Sequence, residues 1–375
     1  MAKVLILGGG FGGVVAAERL AKELGDEHQI TMVSRSRSFV FYPALVRLAF
    51  GKIAKEEVSF DLRRSMLSRR VNFVEAEVAR VDPEARKVTI AHGDVEGLLA
   101  YDYLIFALGR RLATERITGF FEHAHHLLNV DKALNFGRAL GTFHKGRALI
   151  GQCPGARLPV PVYETAFALS RLLEERGQRD AVEITIVNPQ ASELQFEDDN
   201  VAHAISVSLA KHGINARSDF AIEQVTFGAA YNKRGQAIKF DLLMLLPPFQ
   251  GSPAMSGLGI TDEESYVNVD AHMRVRGLEQ TYAIGDGVSL RGPKMGYMAV
   301  RQAEVAATNL LAELTGREPT AHYSHELKLI IDEGGNDSLY VQEDLWGDQP
   351  ATVRQGRFWV WAKQAQQKYW ERSHL

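Results

Sequence analysis

The N-terminal segment KVLILGGGFGG, Lys3 to Gly13, constrains the fold of this chain more than any other stretch. Its apolar run, Lys3 to Leu7, predicts a strand buried on both faces, and the VVAAERLAKEL that follows has the spacing of an amphipathic helix. Gly8, Gly10 and Gly13 form GxGxxG. The first glycine allows a tight turn, the second lets the backbone approach a pyrophosphate, and the third lets helix and strand pack closely. We expect a dinucleotide-binding turn; the alternative is a glycine-rich turn that binds nothing.

A second strand, Gln29 to Val33, completes a βαβ unit of about 30 residues. The acidic residue that commonly follows this strand and binds a ribose hydroxyl is missing, because Val33 is followed by Ser34 and Arg35. A serine hydroxyl can still make a weaker hydrogen bond. Ser34 is therefore the expected ribose contact.

Composition limits the partners. The 375 residues, 46% hydrophobic and 24% charged, are enough for two globular domains, and a net charge of −3 gives no reason to expect nucleic acid. No apolar run reaches the roughly 18 residues of a membrane span, so we expect a cytoplasmic protein. A single cysteine, Cys153, excludes an intrachain disulfide and a cysteine-rich metal site. The clustered His123, His125 and His126 lack further ligands at metal-binding spacing, so no metal is expected.

Strand-like and helix-like segments alternate along most of the chain. The predicted strands are Val71 to Glu75, Lys87 to Ile90, Tyr103 to Ala107, Arg147 to Ile150, Glu183 to Val187, Asp241 to Leu246 and Thr281 to Ile284. The predicted helices are Ala133 to Leu140, Val162 to Glu175, Asn200 to His212 and Met298 to Thr315. This alternation predicts an α/β fold with parallel sheets, followed after about Thr320 by a mixed strand and helix appendage.

Two further strand ends carry turn signals. Thr281 to Val288 reads TYAIGDGV and places Gly285 and Asp286 after an apolar strand, so that a carboxylate can meet a polyol hydroxyl. Tyr101 to Gly109 reads YDYLIFALG and ends in a turn of small residues. Each alone is as often an ordinary loop. Together with the N-terminal glycines, they resemble the FAD-binding signature of the flavoproteins with two dinucleotide-binding domains, which implies FAD as cofactor.

Longer segments narrow this resemblance. They are FVFYPALVRLAFG, PGARLPVPVYETA, DLLMLLPPFQG, PKMGYMAVRQA and GRFWVWAKQAQQKYW. Over nearly the whole chain, to about Trp370, they look like the sulfide:quinone oxidoreductase and flavocytochrome c sulfide dehydrogenase branch, to which type II NADH dehydrogenases are related. The resemblance implies two Rossmann-like domains with a short C-terminal α+β domain. The implied ranges are 1–112 with 275–320 for FAD binding, 113–274 for a second, degenerate NAD-type domain, and 321–375 for the C-terminal domain.

The resemblance also implies roles for single residues. Tyr42 and Pro43 would lie against the flavin ring, and Pro293 to Gly296 would begin a helix whose N-terminus faces the flavin, with Lys294 adding positive charge. The alternative is an ordinary helix start with a solvated lysine. The implied FAD-binding residues are Gly8, Gly10, Phe11, Gly13, Ser34, Arg35, Tyr42, Pro43, Ala107, Gly109, Gly285, Asp286, Lys294, Gly296 and Tyr297.

The chain departs from this family where sulfide is oxidised. The family uses paired cysteines, and the matching positions here carry Leu158 and Leu128. Cys153 remains as a candidate catalytic thiol, with Lys294 as the second catalytic candidate. A buried, inert cysteine is the interpretation that we favour for Cys153.

A second dinucleotide turn also fails to form in the sequence. NADH-dependent relatives need another GxGxxG within Ala148 to Glu164, and an acidic residue after the next strand. This chain has GQCPGARL there, and Asn188 and Pro189 after the strand. We therefore expect NADH to bind poorly, although Arg157 leaves a different phosphate contact open.

The C-terminal aromatic residues suggest an acceptor side. In membrane-bound relatives this region holds the protein at the bilayer, where aromatic rings sit at the interface. Gln364, Gln366 and Gln367 make any such contact weak, and packing against the flavin domain or a partner subunit is an equal alternative. The residues concerned are Phe358, Trp359, Trp361, Tyr369 and Trp370.

The sequence thus predicts an FAD-dependent oxidoreductase that passes electrons from a small-molecule donor to a quinone-like acceptor, peripheral at most at the inner face of the membrane. The alternatives are a type II NAD(P)H:quinone dehydrogenase and a redox-silent FAD-binding protein. The donor, the acceptor and the oligomeric state stay open, and a homodimer is compatible with the sequence.

Overall fold

The computed structural model describes residues 1–190, 198–335 and 337–374. Its α-helices are α1 (Phe11–Leu24), α2 (Leu45–Ala49), α3 (Leu62–Ser68), α4 (Phe120–His123), α5 (Val130–Thr142), α6 (Val160–Glu175), α7 (Asp199–Lys211), α8 (Gly296–Leu314) and α9 (Phe358–His374). Each helix predicted from the sequence coincides with one of these to within a few residues at either end. Within the described ranges, no helix is both long and apolar enough to cross a lipid bilayer.

A five-stranded parallel sheet organises the first unit, in the order β19-β9-β1-β2-β5. Its strands are β1 (Lys3–Leu7), β2 (Gln29–Ser34), β5 (Asn72–Glu75), β9 (Tyr103–Phe106) and β19 (Thr281–Ala283). The central strand β1 is buried from Val4 to Leu7, as an apolar strand of a doubly covered sheet should be. In the sheet, β1 lies between β2 on one side and β9 on the other, and the order of the strands reverses direction at β1. Loops at the carboxyl ends of these strands therefore border a crevice of the kind that binds ligands in open α/β sheets.

A second parallel sheet repeats this plan, in the order β13-β12-β11-β17. Its strands are β11 (Gly146–Gln152), β12 (Val182–Val187), β13 (Asn215–Arg217) and β17 (Leu242–Leu246). Helix α6 follows β11, as the predicted strand–turn–helix order requires. The predicted α/β class with two Rossmann-like cores is confirmed.

Antiparallel strands surround both cores. They are β3 (Ser38–Val40) with β4 (Ser59–Asp61); β6 (Glu77–Asp82), β7 (Lys87–Ala91) and β8 (Gly97–Ala100); β10 (Arg111–Leu112) with β18 (Phe249–Gln250); β14 (Ile222–Thr226), β15 (Ala229–Asn232) and β16 (Ala237–Lys239); and β20 (Glu326–Asp332), β21 (Ser338–Asp344) and β22 (Thr352–Gln355). The prediction that the strand at Lys87 to Ile90 belongs to a parallel arrangement is wrong, because β7 pairs antiparallel with β6 and β8. Short connections join these three strands, and a short connection permits only antiparallel pairing.

The C-terminal sheet packs inward. Residues of β20 alternate between half-buried and buried positions, and the strand contacts α6, α8 and α9. Helix α9 ends the described chain, and it reaches back to residues of both Rossmann-like cores. The predicted mixed strand and helix appendage is therefore part of the body of the molecule.

Candidate functional site

The turns after β1, β9 and β19 touch one another at the carboxyl edge of the first sheet. Gly8 has a φ of +116°, and a Cβ at this position would overlap the carbonyl group of Ala107. A Cβ on Gly287 would lie 2.9 Å from the carbonyl oxygen of Gly109. Only glycine allows such close approach of backbones. The three turns thus form one continuous surface, and most of their glycines are partly exposed.

The start of α1 provides a cradle beside this surface. Gly10 is the N-cap residue, and no side chain in the described part of the protein caps this helix start. A Cβ on Gly13 would overlap the carbonyl oxygen of Gly8, whereas a Cβ on Gly10 would have no heavy atom of the described residues within 4 Å. The space in front of Gly10 therefore leaves uncapped backbone N–H groups at a helix N-terminus open to an anionic group. This arrangement fits the pyrophosphate of a dinucleotide.

Ser34 lies where the ribose contact was predicted. Its Oγ donates a hydrogen bond of 2.9 Å to the carbonyl oxygen of Ser36, and a Cβ on Gly9 would lie 2.9 Å from the same Oγ. The serine hydroxyl therefore borders the glycine turn, and it also accepts the backbone N–H of Ser36 at 3.4 Å. Arg35 is exposed next to it.

Asp286 faces an arginine that sequence reasoning did not single out. The Arg110 guanidinium forms an ion pair with Asp286 and lies 4.2 Å from the centre of the Phe249 ring. The backbone N–H of Gly285 donates to Gln302 Oε1 at 2.6 Å, which fixes the turn. Arg110 and Asp286 are 176 residues apart in the chain, so only the fold brings them together.

A cationic cluster, defined here as the basic residues Arg110, Arg157 and Lys294 with the ring of Tyr266, lies next to this turn. Its two arginines are partly buried, and Lys294 and Tyr266 are buried. Lys294 is buried, donates to the Val288 carbonyl oxygen and lies 4.3 Å from the centre of the Tyr266 ring. The solvated interpretation of this lysine is therefore wrong. Burial and the nearby Arg157 hold the pKa of Lys294 well below its ordinary value. Burial likewise raises the pKa of Tyr266 to about 12, and its hydroxyl lacks a hydrogen-bond partner among the described residues.

Arg157 joins the two Rossmann-like units. It follows β11 in the second unit, and its Nε donates to the Gly292 carbonyl oxygen at 2.8 Å in the loop before α8. Its own carbonyl oxygen accepts a hydrogen bond of 2.6 Å from the backbone N–H of Lys294. The sequence left open a contact between Arg157 and a phosphate. In the structure, Arg157 instead contacts Gly292 and Lys294 of the same chain.

Helix α8 begins at Gly296, so the predicted helix start after Pro293 is present. Tyr297 in its first turn donates a hydrogen bond of 3.4 Å to Glu326 of the C-terminal sheet. Tyr42 and Pro43 lie exposed on a short 3-10 turn before α2. Their predicted contact with a flavin stays a prediction.

Cys153 is fully buried. It lies in an apolar cluster with Phe120, Val187 and Leu245, and its backbone N–H donates to the Leu246 carbonyl oxygen at 2.8 Å. Burial raises the pKa of the thiol far above its ordinary value. These contacts support the inert interpretation over the catalytic one.

Polar side chains fill the corresponding edge of the second sheet. Gln152 Nε2 donates to Asn188 Oδ1 at 3.0 Å, and Asn188 Nδ2 donates to the Tyr163 hydroxyl at 3.3 Å. All three residues are at most 3% exposed. A dinucleotide would need exposed backbone N–H groups at this edge. Hydrogen-bonded side chains of the protein lie there instead. This network was missed from the sequence because its hydrogen-bonded pairs are 36 and 25 residues apart in the chain.

The three clustered histidines do not come together with other ligands in the described part of the chain. Residues 1–190, 198–335 and 337–374 contain no group of three ligands that could hold a metal ion. His126 is buried, and its Nδ1 accepts the backbone N–H of Leu128 at 3.3 Å. Burial lowers its pKa to about 4.

The C-terminal aromatic residues divide between two sides of α9. Phe358, Trp361 and Tyr369 are 60–65% exposed. Trp359 stacks on Tyr340 at 4.0 Å between ring centres, and Trp370 is buried against the first unit. The sequence had treated these five residues as one group.

Comparison with known proteins gives consistent results. A family model described as pyridine nucleotide-disulphide oxidoreductase matches residues 2–307. A sulfide-quinone reductase from Aquifex aeolicus (strain VF5) is 26% identical over 269 residues, which are 69% of this chain and 61% of that protein. A type II NADH:quinone oxidoreductase from Staphylococcus haemolyticus (strain JCSC1435) is 22% identical over 94% of this chain and 93% of that protein.

A solved structure shares the fold over almost the whole chain. The sulfide:quinone oxidoreductase from Aquifex aeolicus superimposes with a TM-score of 0.91 at 22% identity, covering 99% of this chain and 90% of that one. This similarity extends to the C-terminal sheet and helix as well as to the two Rossmann-like units.

Proposed function

The chain belongs to the pyridine nucleotide-disulphide oxidoreductase family, and we propose that it uses FAD to pass electrons from a small-molecule donor to a quinone-like acceptor. The observation that carries the proposal is the set of turns at the carboxyl edge of the first sheet, with an open cradle at Gly10. Relatives named as quinone oxidoreductases support the acceptor class.

The residues of the first unit fit FAD in order. Gly8, Gly10 and Gly13 with the N-terminus of α1 would hold the pyrophosphate, and Ser34 would bind a ribose hydroxyl. Asp286 would bind a hydroxyl of the ribityl chain while it keeps the ion pair with Arg110. Bound FAD would supply the two-electron chemistry that side chains lack.

The cationic cluster and the start of α8 set the electrostatics at the boundary of the two units. Arg110 and Arg157 keep their charge when buried, and the N-terminus of α8 adds a partial positive charge. Asp286 neutralises Arg110, and the carboxylate of Asp262 opposes the positive charge of Arg157. The partial positive charge at the N-terminus of α8 then favours a cofactor state that carries negative charge.

The exposed face of α9 would meet a membrane surface, where quinones are found. Phe358, Trp361, Ala365 and Tyr369 follow one another at steps of three, four and four residues and share one face of the helix. Arg357, Lys368 and Arg372 flank them. Aromatic rings with basic neighbours suit the interface of an anionic membrane. We place the protein peripherally, at the inner face.

A type II NADH:quinone dehydrogenase is the second candidate. The match over 94% of this chain to such a protein favours it. The filled edge of the second sheet, with Gln152, Asn188 and Tyr163 hydrogen-bonded to each other, opposes it.

An anaerobic absorbance titration separates the candidates. The purified protein is titrated in turn with NADH, NADPH and sulfide, and the flavin band is followed. The proposal expects no rapid bleaching by either nicotinamide. Rapid bleaching by NADH would contradict the proposal and support a type II NADH:quinone dehydrogenase instead. Bleaching by sulfide would identify the donor, and a protein that binds no FAD would contradict the proposal outright.

A further inference from the structure

Trp370 connects the last helix to the glycine turn. Its indole is 6% exposed, and the centre of its ring lies 4.7 Å from that of Phe11 and 5.8 Å from that of Phe39, on which it stacks. Phe11 is the first residue of α1 and directly follows Gly10. The C-terminal helix therefore packs on the residue next to the cradle.

Phe11 in turn touches the start of a second helix. A Cβ on Gly296 would lie 3.1 Å from the Phe11 ring, so the ring packs directly against the first residue of α8. Phe11 thus lies between the N-termini of α1 and α8. Both helix starts are those that the proposed function directs at FAD.

The rest of α9 is tied down on the same unit. Gln367 Nε2 donates to the Glu57 carbonyl oxygen at 3.0 Å, and His374 Nδ1 lies 2.5 Å from Glu18. The Ser65 hydroxyl donates to the His374 carbonyl oxygen at 2.9 Å. These contacts fix the position of the Trp370 ring from both sides along the helix.

We propose that Trp370 is a positioning residue for FAD. The Trp370 ring holds Phe11 in place, so that the N-termini of α1 and α8 keep the spacing that the cofactor needs. The inference rests on the FAD site of the proposed function but not on the donor or the acceptor. Without the indole, Phe11 gains freedom that FAD binding must then remove, which weakens binding.

The test measures FAD retention by the holoprotein. FAD release after dilution is followed by its fluorescence, and the thermal midpoint is recorded with and without FAD for each variant. Trp370→Leu should raise the Kd for FAD by about tenfold or more, and Trp370→Phe, which keeps a ring on Phe11, should stay within about threefold. The matched control is Trp359→Leu, because Trp359 stacks on Tyr340 of the C-terminal sheet and should leave the Kd unchanged.

Two outcomes would overturn the inference. In one, Trp370→Leu lowers the thermal midpoints with and without FAD equally and leaves the Kd unchanged, which would make the residue a packing residue only. In the other, Trp359→Leu weakens FAD binding as much as Trp370→Leu. A parent protein that fails to bind FAD would instead contradict the proposed function.

Phe11→Leu examines the same contact from the other side and serves if Trp370→Leu does not fold. It should weaken FAD binding, and the double variant should weaken it by less than the product of the two single effects, because both act through one contact. Where only Phe11→Leu is available, an unchanged Kd overturns the inference. Independent, fully multiplicative effects of the two substitutions overturn it as well.

Discussion

At the residue scale, Gly10 and Gly13 belong to one turn but face different surroundings. Gly13 faces the carbonyl oxygen of Gly8, whereas Gly10 faces open space. Gly10 has φ −83° and ψ −171°, an extended conformation that alanine adopts without strain. At Gly13, the backbone of the protein itself requires a glycine. At Gly10, we infer that the bound cofactor requires it.

This difference gives a paired prediction. Gly10→Ala should leave the thermal midpoint of the FAD-free protein unchanged and raise the Kd for FAD by about tenfold or more, because its methyl group occupies the cradle. Gly13→Ala should destabilise the FAD-free protein by about 1–3 kcal/mol, because the added methyl overlaps backbone. Thermal denaturation and FAD titration of both variants provide the comparison. Equal FAD affinity of Gly10→Ala and the parent would argue against a pyrophosphate at this turn.

Cys153 provides a second prediction at this scale. Because the thiol is buried among apolar side chains and its pKa is raised, it should react with a thiol reagent only after unfolding. Cys153→Ala should leave the response of the flavin to NADH, NADPH and sulfide the same as in the parent protein. Reaction in the native protein, together with loss of flavin reduction in the variant, would restore the catalytic interpretation.

The turns that carry the glycines and Asp286 could be predicted because a local pattern demands them, whereas the contact of these residues with FAD stays a prediction. The contacts of Arg110, Arg157 and Tyr266 could not be predicted, because their partners lie on distant parts of the chain. The Arg157 contact with Gly292, for example, spans 135 residues. No local spacing encodes such a contact, so an arginine after a strand resembles any surface arginine.

At the scale of elements, α9 has two faces with different surroundings. Its inner face carries Trp370 and Gln367 into the first unit, and its outer face carries Phe358, Trp361 and Tyr369. The sequence supplied the aromatic residues but could not assign them to faces, because the direction in which a helix docks depends on the surface that receives it. The packing stated as an alternative from the sequence is therefore found for Trp370 and Gln367, and membrane contact stays a prediction for the exposed residues.

The outer face gives the next prediction. Replacing Trp361 and Tyr369 together by serine should weaken binding to vesicles of anionic phospholipid by about tenfold or more, as measured by cosedimentation. Phe227→Ser is the matched control, because Phe227 is 94% exposed on the turn between β14 and β15. Equal losses for the control and the double variant would argue against a specific membrane face, as would a parent protein that does not bind the vesicles.

At the scale of the whole molecule, α9 also holds the two Rossmann-like units together. Lys363 forms a buried ion pair with Glu164 of α6, and Glu164 accepts the backbone N–H of Asp332 at 2.8 Å. Burial raises the pKa of Glu164 above its ordinary value of 4.5, against the opposing effect of Lys363. The folded state therefore binds this proton more tightly than the unfolded state does, and the contribution of Glu164 to stability falls as the pH rises above 4.5.

Removing the ammonium group of Lys363 should reveal the free-energy cost of burying the Glu164 carboxylate. Lys363→Met should lower the free energy of unfolding by about 3–5 kcal/mol at neutral pH, because it leaves a buried carboxylate unpaired. The loss should shrink toward acidic pH, where Glu164 is protonated. Lys211→Met is the control, because its pair with Asp337 is half exposed and should cost about 0–1 kcal/mol. Chemical denaturation across the pH range measures both, and a pH-independent loss in Lys363→Met would contradict the assignment.

The central claim is that FAD bound by this chain delivers electrons to a quinone. Since the donor is unknown, the most direct measurement reduces the bound flavin with light under anaerobic conditions and mixes it with a short-chain quinone in a stopped-flow instrument. The account predicts rapid return of the oxidised flavin band, with a rate that saturates as the quinone concentration rises. A reduced flavin that stays reduced, or is reoxidised no faster than free FAD and without saturation, would contradict it.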